Sequence, residues 1–96
     1  MKVEDVFSSK LRIKILRILV QMRELNVSDI ARRLNVNYVT TSRHLIALEN
    51  EEVITHKSYG RIRLYRLNEQ SPKARAIESM IEVWEQTEDH QEGDNS

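Results

Sequence analysis

The sequence predicts a mainly α-helical domain with one small two-stranded β-hairpin. Three observations lead there. Apolar residues recur at helical spacing in four separate segments. From Val53 to Leu67 the pattern changes, to the β-branched run Val53-Ile54-Thr55 and a second run with Ile62, Leu64, Tyr65 and Leu67. Glycine and proline are reduced to Gly60, Gly93 and Pro72, which leaves few places for a sharp turn. At 96 residues the chain suffices for one domain, and no internal repeat divides it.

Ser8 or Ser9 can cap a first helix running to about Met22. Leu11, Ile15, Ile18, Leu19 and Met22 form one apolar face of it, and Ile13, Leu16 and Val20 lie roughly opposite. A helix apolar on two sides asks for two covers. In so small a domain one cover is the core, and the other is expected to be a second copy of the chain. Asn26 or Ser28 then caps a short helix with Val27, Ile30, Ala31 and Leu34 at i, i+3, i+4 and i+7. Asn35-Val36-Asn37 breaks that period, and asparagine tolerates left-handed backbone, so a tight turn fits here without glycine.

Asn37 caps a third helix, 38–50. Thr41, Leu45 and Leu48 form its inner side, with Tyr38 and Ser42 at the margin. Val39, Thr40, Arg43, Ile46 and Ala47 lie on the outer side, with His44 on the boundary. The hairpin follows over 53–67, turning at Ser58-Tyr59-Gly60-Arg61, where Gly60 supplies positive φ. Ser71-Pro72, a cap followed by proline at the first helical position, opens a last helix over about 72–86. Its stripe reads Ala74, Ile77, Met80, Ile81 and Trp84. Residues 87–96 contain no apolar residue and are expected to form an acidic, disordered tail beyond a folded unit of 1–84.

Composition removes several classes of function. The longest apolar run falls far short of the roughly 20 residues that span a membrane. Lys2, Glu4 and Asp5 stand where a signal peptide would be apolar. There is no cysteine, hence no disulfide framework, thiolate metal site or Cys nucleophile. A cytoplasmic protein is expected. No Ser-His-Asp order, Gly-rich phosphate loop or metal-ligand spacing points to an enzyme, and no cofactor is expected.

The 15 Lys+Arg balance the 15 Asp+Glu, but not evenly along the chain. Residues 1–68 hold 13 of the cations against seven acids, and the remainder holds two against eight. The hairpin has no acid between Val53 and Leu67 but carries His56, Lys57, Arg61, Arg63 and Arg66. Charge split in this way suits a basic working surface.

Two short helices with a tight connector make a helix-turn-helix unit, and the basic hairpin stands where a wing would be. The motifs Val27-Ser28-Asp29-Ile30-Ala31 through Leu34, Ser42-Arg43-His44-Leu45 with Leu48, and Gly60-Arg61 through Tyr65 and Leu67 carry a resemblance. Over residues 8–84 the chain resembles winged helix-turn-helix repressors of the ArsR type, particularly their archaeal relatives. The resemblance implies a cytoplasmic, homodimeric, DNA-binding transcription regulator. It departs at Glu52, where the family pattern has glycine. A left-handed cap there costs about 1 kcal/mol, or the cap moves to Asn50. The Cys pairs and His/Asp sets of the metal-sensing members are missing, so no metal is expected.

Double-stranded DNA needs cations and N–H donors for phosphate, and short or bidentate side chains for base edges. Arg43 suits guanine O6 and N7, Thr40 a base edge or phosphate, and Val39 or Ala47 a thymine methyl. Asn37, Tyr38, Ser28, Arg32, Arg33, Lys57 and Arg63 are phosphate candidates, His44 is a further DNA candidate, and Arg61 suits a narrow minor groove. Structural alternatives stand beside these: Ser28 and Asn37 as caps, Tyr38 as packing, His44 as a core-edge histidine, Arg61 as a solvated turn residue. The dimer interface is expected from Ile13, Leu16 and Val20 with Ile77, Met80, Ile81 and Trp84. A winged helix that binds protein or RNA is the alternative function.

Overall fold

The computed structural model describes the backbone of residues 1–95 and the side chains of residues 1–88. The elements are α1 (Val3–Phe7), α2 (Lys10–Met22), β1 (Leu25–Asn26), α3 (Val27–Leu34), α4 (Tyr38–Asn50), β2 (Ile54–Tyr59), β3 (Ile62–Leu67) and α5 (Pro72–Asn95). Capping explains the three inner helix starts. The Ser9 hydroxyl accepts from the Arg12 N–H, the Asn26 side chain from Asp29, and the Asn37 side chain from Thr40. Asn26 is therefore the cap of α3, and Ser28 lies inside the first turn with its hydroxyl unused for capping.

The helix ends are equally local. Asn35 takes left-handed backbone at φ 56°, and the Val36 N–H returns to the Ala31 carbonyl at 3.0 Å. The same double turn closes α4: Glu52 N–H donates to the Glu49 carbonyl and Val53 N–H to the Leu48 carbonyl. Glu52 sits at φ 64°, so the cap stays at Glu52 rather than moving to Asn50. The Asn68 side chain holds it by donating to the Glu52 carbonyl at 2.9 Å. Glu52→Gly is expected to raise the unfolding free energy by about 1 kcal/mol, since a side chain at positive φ is strained. Urea denaturation of the two proteins measures it.

The sheet has three strands, not the expected two, in the order β1-β3-β2 and all antiparallel. The addition is β1, whose Leu25 pairs with Tyr65 and Asn26 with Leu64. Two residues carry no alternation, so this strand leaves no signal in the sequence. Tyr59 pairs with Ile62 across a two-residue loop in which only Gly60 takes positive φ.

The core joins Ile15, Leu16, Leu19 and Val20 of α2 to Ile30, Leu45, Leu48, Ile54, Tyr65, Ala74 and Ile81. Leu16, Val20 and Ile81 thus belong to the chain's own interior, which corrects their expected place in a dimer interface. The second cover of α2 is α5, folded back along it. Arg17 pairs with Glu85, and Arg23 lies 3.6 Å from Glu78, across that contact. α5 also runs past its expected end near residue 86, because Gly93 is the only Gly or Pro between Lys73 and Asn95. The expected disorder of 87–96 falls largely on side chains outside the described ones.

Candidate nucleic-acid interface

The inner side of α4 is Thr41, Leu45 and Leu48, all fully buried. Thr41 is tolerated there because its hydroxyl donates to the Asn37 carbonyl at 2.9 Å, one turn back. That phase turns Val39, Arg43 and Ile46 outward, at i, i+4 and i+7, and all three are exposed. Thr40 and Ala47 are half-buried at the edges of the same face.

Next to this face a polar groove of about 380 Å³ runs between the start of α3, α4 and the hairpin. Ser28, Tyr38, Ser42, Arg61 and Arg63 line it. Ser42, expected at the inner margin of its helix, thus opens toward the hairpin. The hairpin register explains the choice of cations. Arg63 lies opposite Ser58, on the same sheet face as the His56–Tyr65 and Ile54–Leu67 pairs, so it extends that face beyond the core. Lys57 lies opposite Leu64 on the other face and stays outside the groove, exposed. Tyr59 and Ile62 are also exposed, at the hairpin tip.

His56 and Glu49 fix the hairpin to α4, with Nδ1 and Oε2 2.5 Å apart. The His56 ring also leans on Tyr65, centroids 5.2 Å apart. Together with the Glu52 turn, this sets the angle between helix and hairpin.

Two candidates are placed elsewhere. His44 does not face outward: its Nδ1 accepts from Arg12 Nε at 3.1 Å, which turns the ring toward α2. Burial and, after it, the Arg12 charge hold its pKa below the ordinary histidine value. Arg33 borders a different hollow, with Lys14, Ile18 and Gln21 of α2. Arg32 shares the face of Ser28 but pairs with Asp29 at 3.0 Å. Asn37 is exposed, with its side-chain oxygen engaged as the cap and its amide nitrogen open.

The exposed cations differ in their partners. Arg17, Arg23 and Arg32 have carboxylate partners. Among the described residues, Arg43, Lys57, Arg61 and Arg63 make no ion pair, and all four are exposed on α4 and the hairpin. Among the described residues Lys10 and Lys14 of α2 and Lys73 and Arg75 of α5 also make no ion pair, but they lie away from α4 and the hairpin. Among the described residues no group of three His, Cys, Asp or Glu is placed to hold a metal ion, and no helix is long and apolar enough to cross a membrane.

A sequence profile described as bacterial regulatory protein, arsR family, matches residues 9–56, half of the chain. The chain belongs to the ArsR family. Solved structures agree with its winged helix-turn-helix fold. PagR of Bacillus anthracis, a transcriptional repressor, is similar at 26% identity and a TM-score of 0.68, covering 83% of this chain and 85% of its own. HlyU from Vibrio cholerae is similar at 23% identity and a TM-score of 0.72, with 86% and 81% covered. A homodimeric winged helix-turn-helix DNA-binding domain from Mycobacterium bovis is similar at 24% and 0.70, with 88% and 75% covered. No curated protein matches the chain in sequence. As an ArsR-family member the chain is a DNA-binding transcriptional regulator and not an enzyme.

A separate apolar surface shares no residue with the polar groove. A groove of about 620 Å³ between α1, α2 and α5 is lined by Phe7, Ile13, Met80, Ile81 and Trp84, with Arg17, Glu85 and Glu88 at its rim. Trp84 is 68% exposed, Phe7 and Met80 line the groove with it, and Val3 and Val83 are also exposed on α1 and α5. Ile77 packs partly onto the core. Val3 and Phe7 escaped the sequence reading because α1 is too short to show a period.

Proposed function

We propose that this ArsR-family regulator reads duplex DNA as a homodimer, with α4 in the major groove and the β2–β3 wing on the backbone and minor groove. The observation that carries it is the set of unpaired cations on one flank. Arg43 projects from the outward face of α4, while Arg61 and Arg63 line the adjoining groove. Arg43 has the bidentate donors that guanine O6 and N7 accept. Ser28, the Asn37 amide and Tyr38 surround the helix N-termini, where phosphate is favoured by free N–H groups and the helix dipole. Arg63 and Lys57 supply phosphate contacts from opposite faces of the wing, and Arg61 at its tip suits a narrow minor groove.

The dimer is built from the apolar surface of α1, α2 and α5. Phe7, Ile13, Met80 and Trp84 are its anchors, and Leu16, Val20 and Ile81 support them from within. A two-fold axis there gives two reading helices about 34 Å apart, one turn of DNA. On this reading the protein works in the cytoplasm, where the DNA is accessible.

Selection from a random duplex library tests the reading. A pseudo-palindromic site with half-sites about 10–10.5 bp apart is expected. Recovery of single half-sites, or of no preferred sequence, contradicts it.

A further inference from the structure

Arg12, near the start of α2, reaches two other helices at once. Its Nε donates to His44 Nδ1 on α4 at 3.1 Å, and its Nη1 donates to the Asp5 carbonyl of α1 at 3.2 Å. A guanidinium can only donate, so Nδ1 must present a lone pair. The imidazole is therefore neutral and carries its proton on Nε2.

We infer that Arg12 and His44 are a positioning pair for DNA recognition, holding the reading helix against α1 and α2 only while the imidazole is neutral. A proton added at Nδ1 removes the acceptor and sets imidazolium against guanidinium. This rests on the reading of α4 as the DNA-contacting helix. α1 carries Val3 and Phe7 of the proposed dimer surface, so one side chain ties that surface to the helix that reads bases.

Among the described residues no carboxylate is bound to the His44 ring, and the Asp5 carboxylate accepts from the Lys2 N–H at 2.9 Å. From α2 the facing charge is Arg12 itself. From α1 the Asp5 backbone carbonyl reaches the guanidinium, as does the Met1 sulfur at 3.7 Å. One turn away along α4 stand Thr40, Thr41, Ala47 and Leu48, none of them ionisable. Glu51, two turns on, is bound to the Met1 amino group at 2.5 Å. Burial and the Arg12 charge lower the His44 pKa from 6.5. A lowered folded-state value places the intact contact at neutral pH. The contact is lost as pH falls through that value, while the unfolded chain has already taken up its proton near 6.5.

His44→Gln keeps an acceptor for Arg12 and cannot titrate. Binding of the wild type and this variant to the selected duplex is compared between pH 7.5 and 5.5 at fixed salt. At pH 7.5 the two are expected to agree within about twofold. At pH 5.5 the wild type is expected to have lost a few-fold more affinity than the variant; with the histidine of the free protein below 6.5, the excess stays under about tenfold at this pH. Arg12→Ala is expected to bind more weakly at pH 7.5 and to lack the excess acid loss. Parallel profiles for wild type and His44→Gln would overturn the inference. So would nitrogen NMR shifts showing Nδ1 protonated in the wild type at pH 7.5, a measurement independent of any variant's folding. If the wild type binds no duplex at pH 7.5, the DNA reading itself fails, and this inference fails with it.

Discussion

Arg43→Ala is expected to lose discrimination at one base pair in each half-site, by about 1–3 kcal/mol, that is roughly 5- to 150-fold per site. The size follows from the position. Arg43 is exposed and free of ion pairs among the described residues, so alanine there removes a DNA contact without opening the core. Thr41, Leu45 and Leu48 hold the phase of the helix on its other side and are untouched. Arg61→Ala should behave differently, weakening all duplexes more evenly and lowering the salt slope by about 1. Competition binding against single-base-pair variants of the selected site separates the two behaviours. Unchanged discrimination in Arg43→Ala would mean that another face of α4 meets the bases.

Trp84→Glu is expected to dissociate the dimer and to cut affinity for the full site by about 10²–10⁴-fold, the gain that linking two half-site contacts provides. The substitution spares the folded protomer, because Trp84 is largely exposed beside Phe7 and Met80. It places a carboxylate in an apolar contact, near Glu85 and Glu88 at the rim. Light scattering reports the mass, and circular dichroism checks that the protomer stays folded. A dimer of unchanged affinity would place the interface elsewhere.

Most of the helical frame was legible because its signals are local. Asn37 caps α4 where its sequence suggests, and the buried positions of α3 and α4 follow their helical spacing. Signals shorter than one period were not legible. α1 has five residues and β1 two, so neither shows a pattern, yet α1 adds Phe7 to the apolar surface and β1 a strand to the sheet.

The assignment of Leu16, Val20 and Ile81 fails for a different reason. A two-sided apolar helix shows that a second cover exists but not whose it is, and here α5 of the same chain supplies it. His44 illustrates a third limit. It lies at a face boundary, and only the position of Arg12, 32 residues earlier, decides which way the ring turns. The division between Lys57 and Arg63, by contrast, was latent in the sequence. Once Gly60-Arg61 is the two-residue loop, alternation along each strand sends the two cations to opposite faces.

The most direct measurement is a salt titration of duplex affinity for the wild type, run on the selected site and on random sequence. If the flank of α4 and the wing is the DNA surface, log K falls linearly with log salt on both duplexes. The selected site should stay at least about 10³-fold tighter. Affinity indifferent to salt, or equal on the two duplexes, would contradict the account.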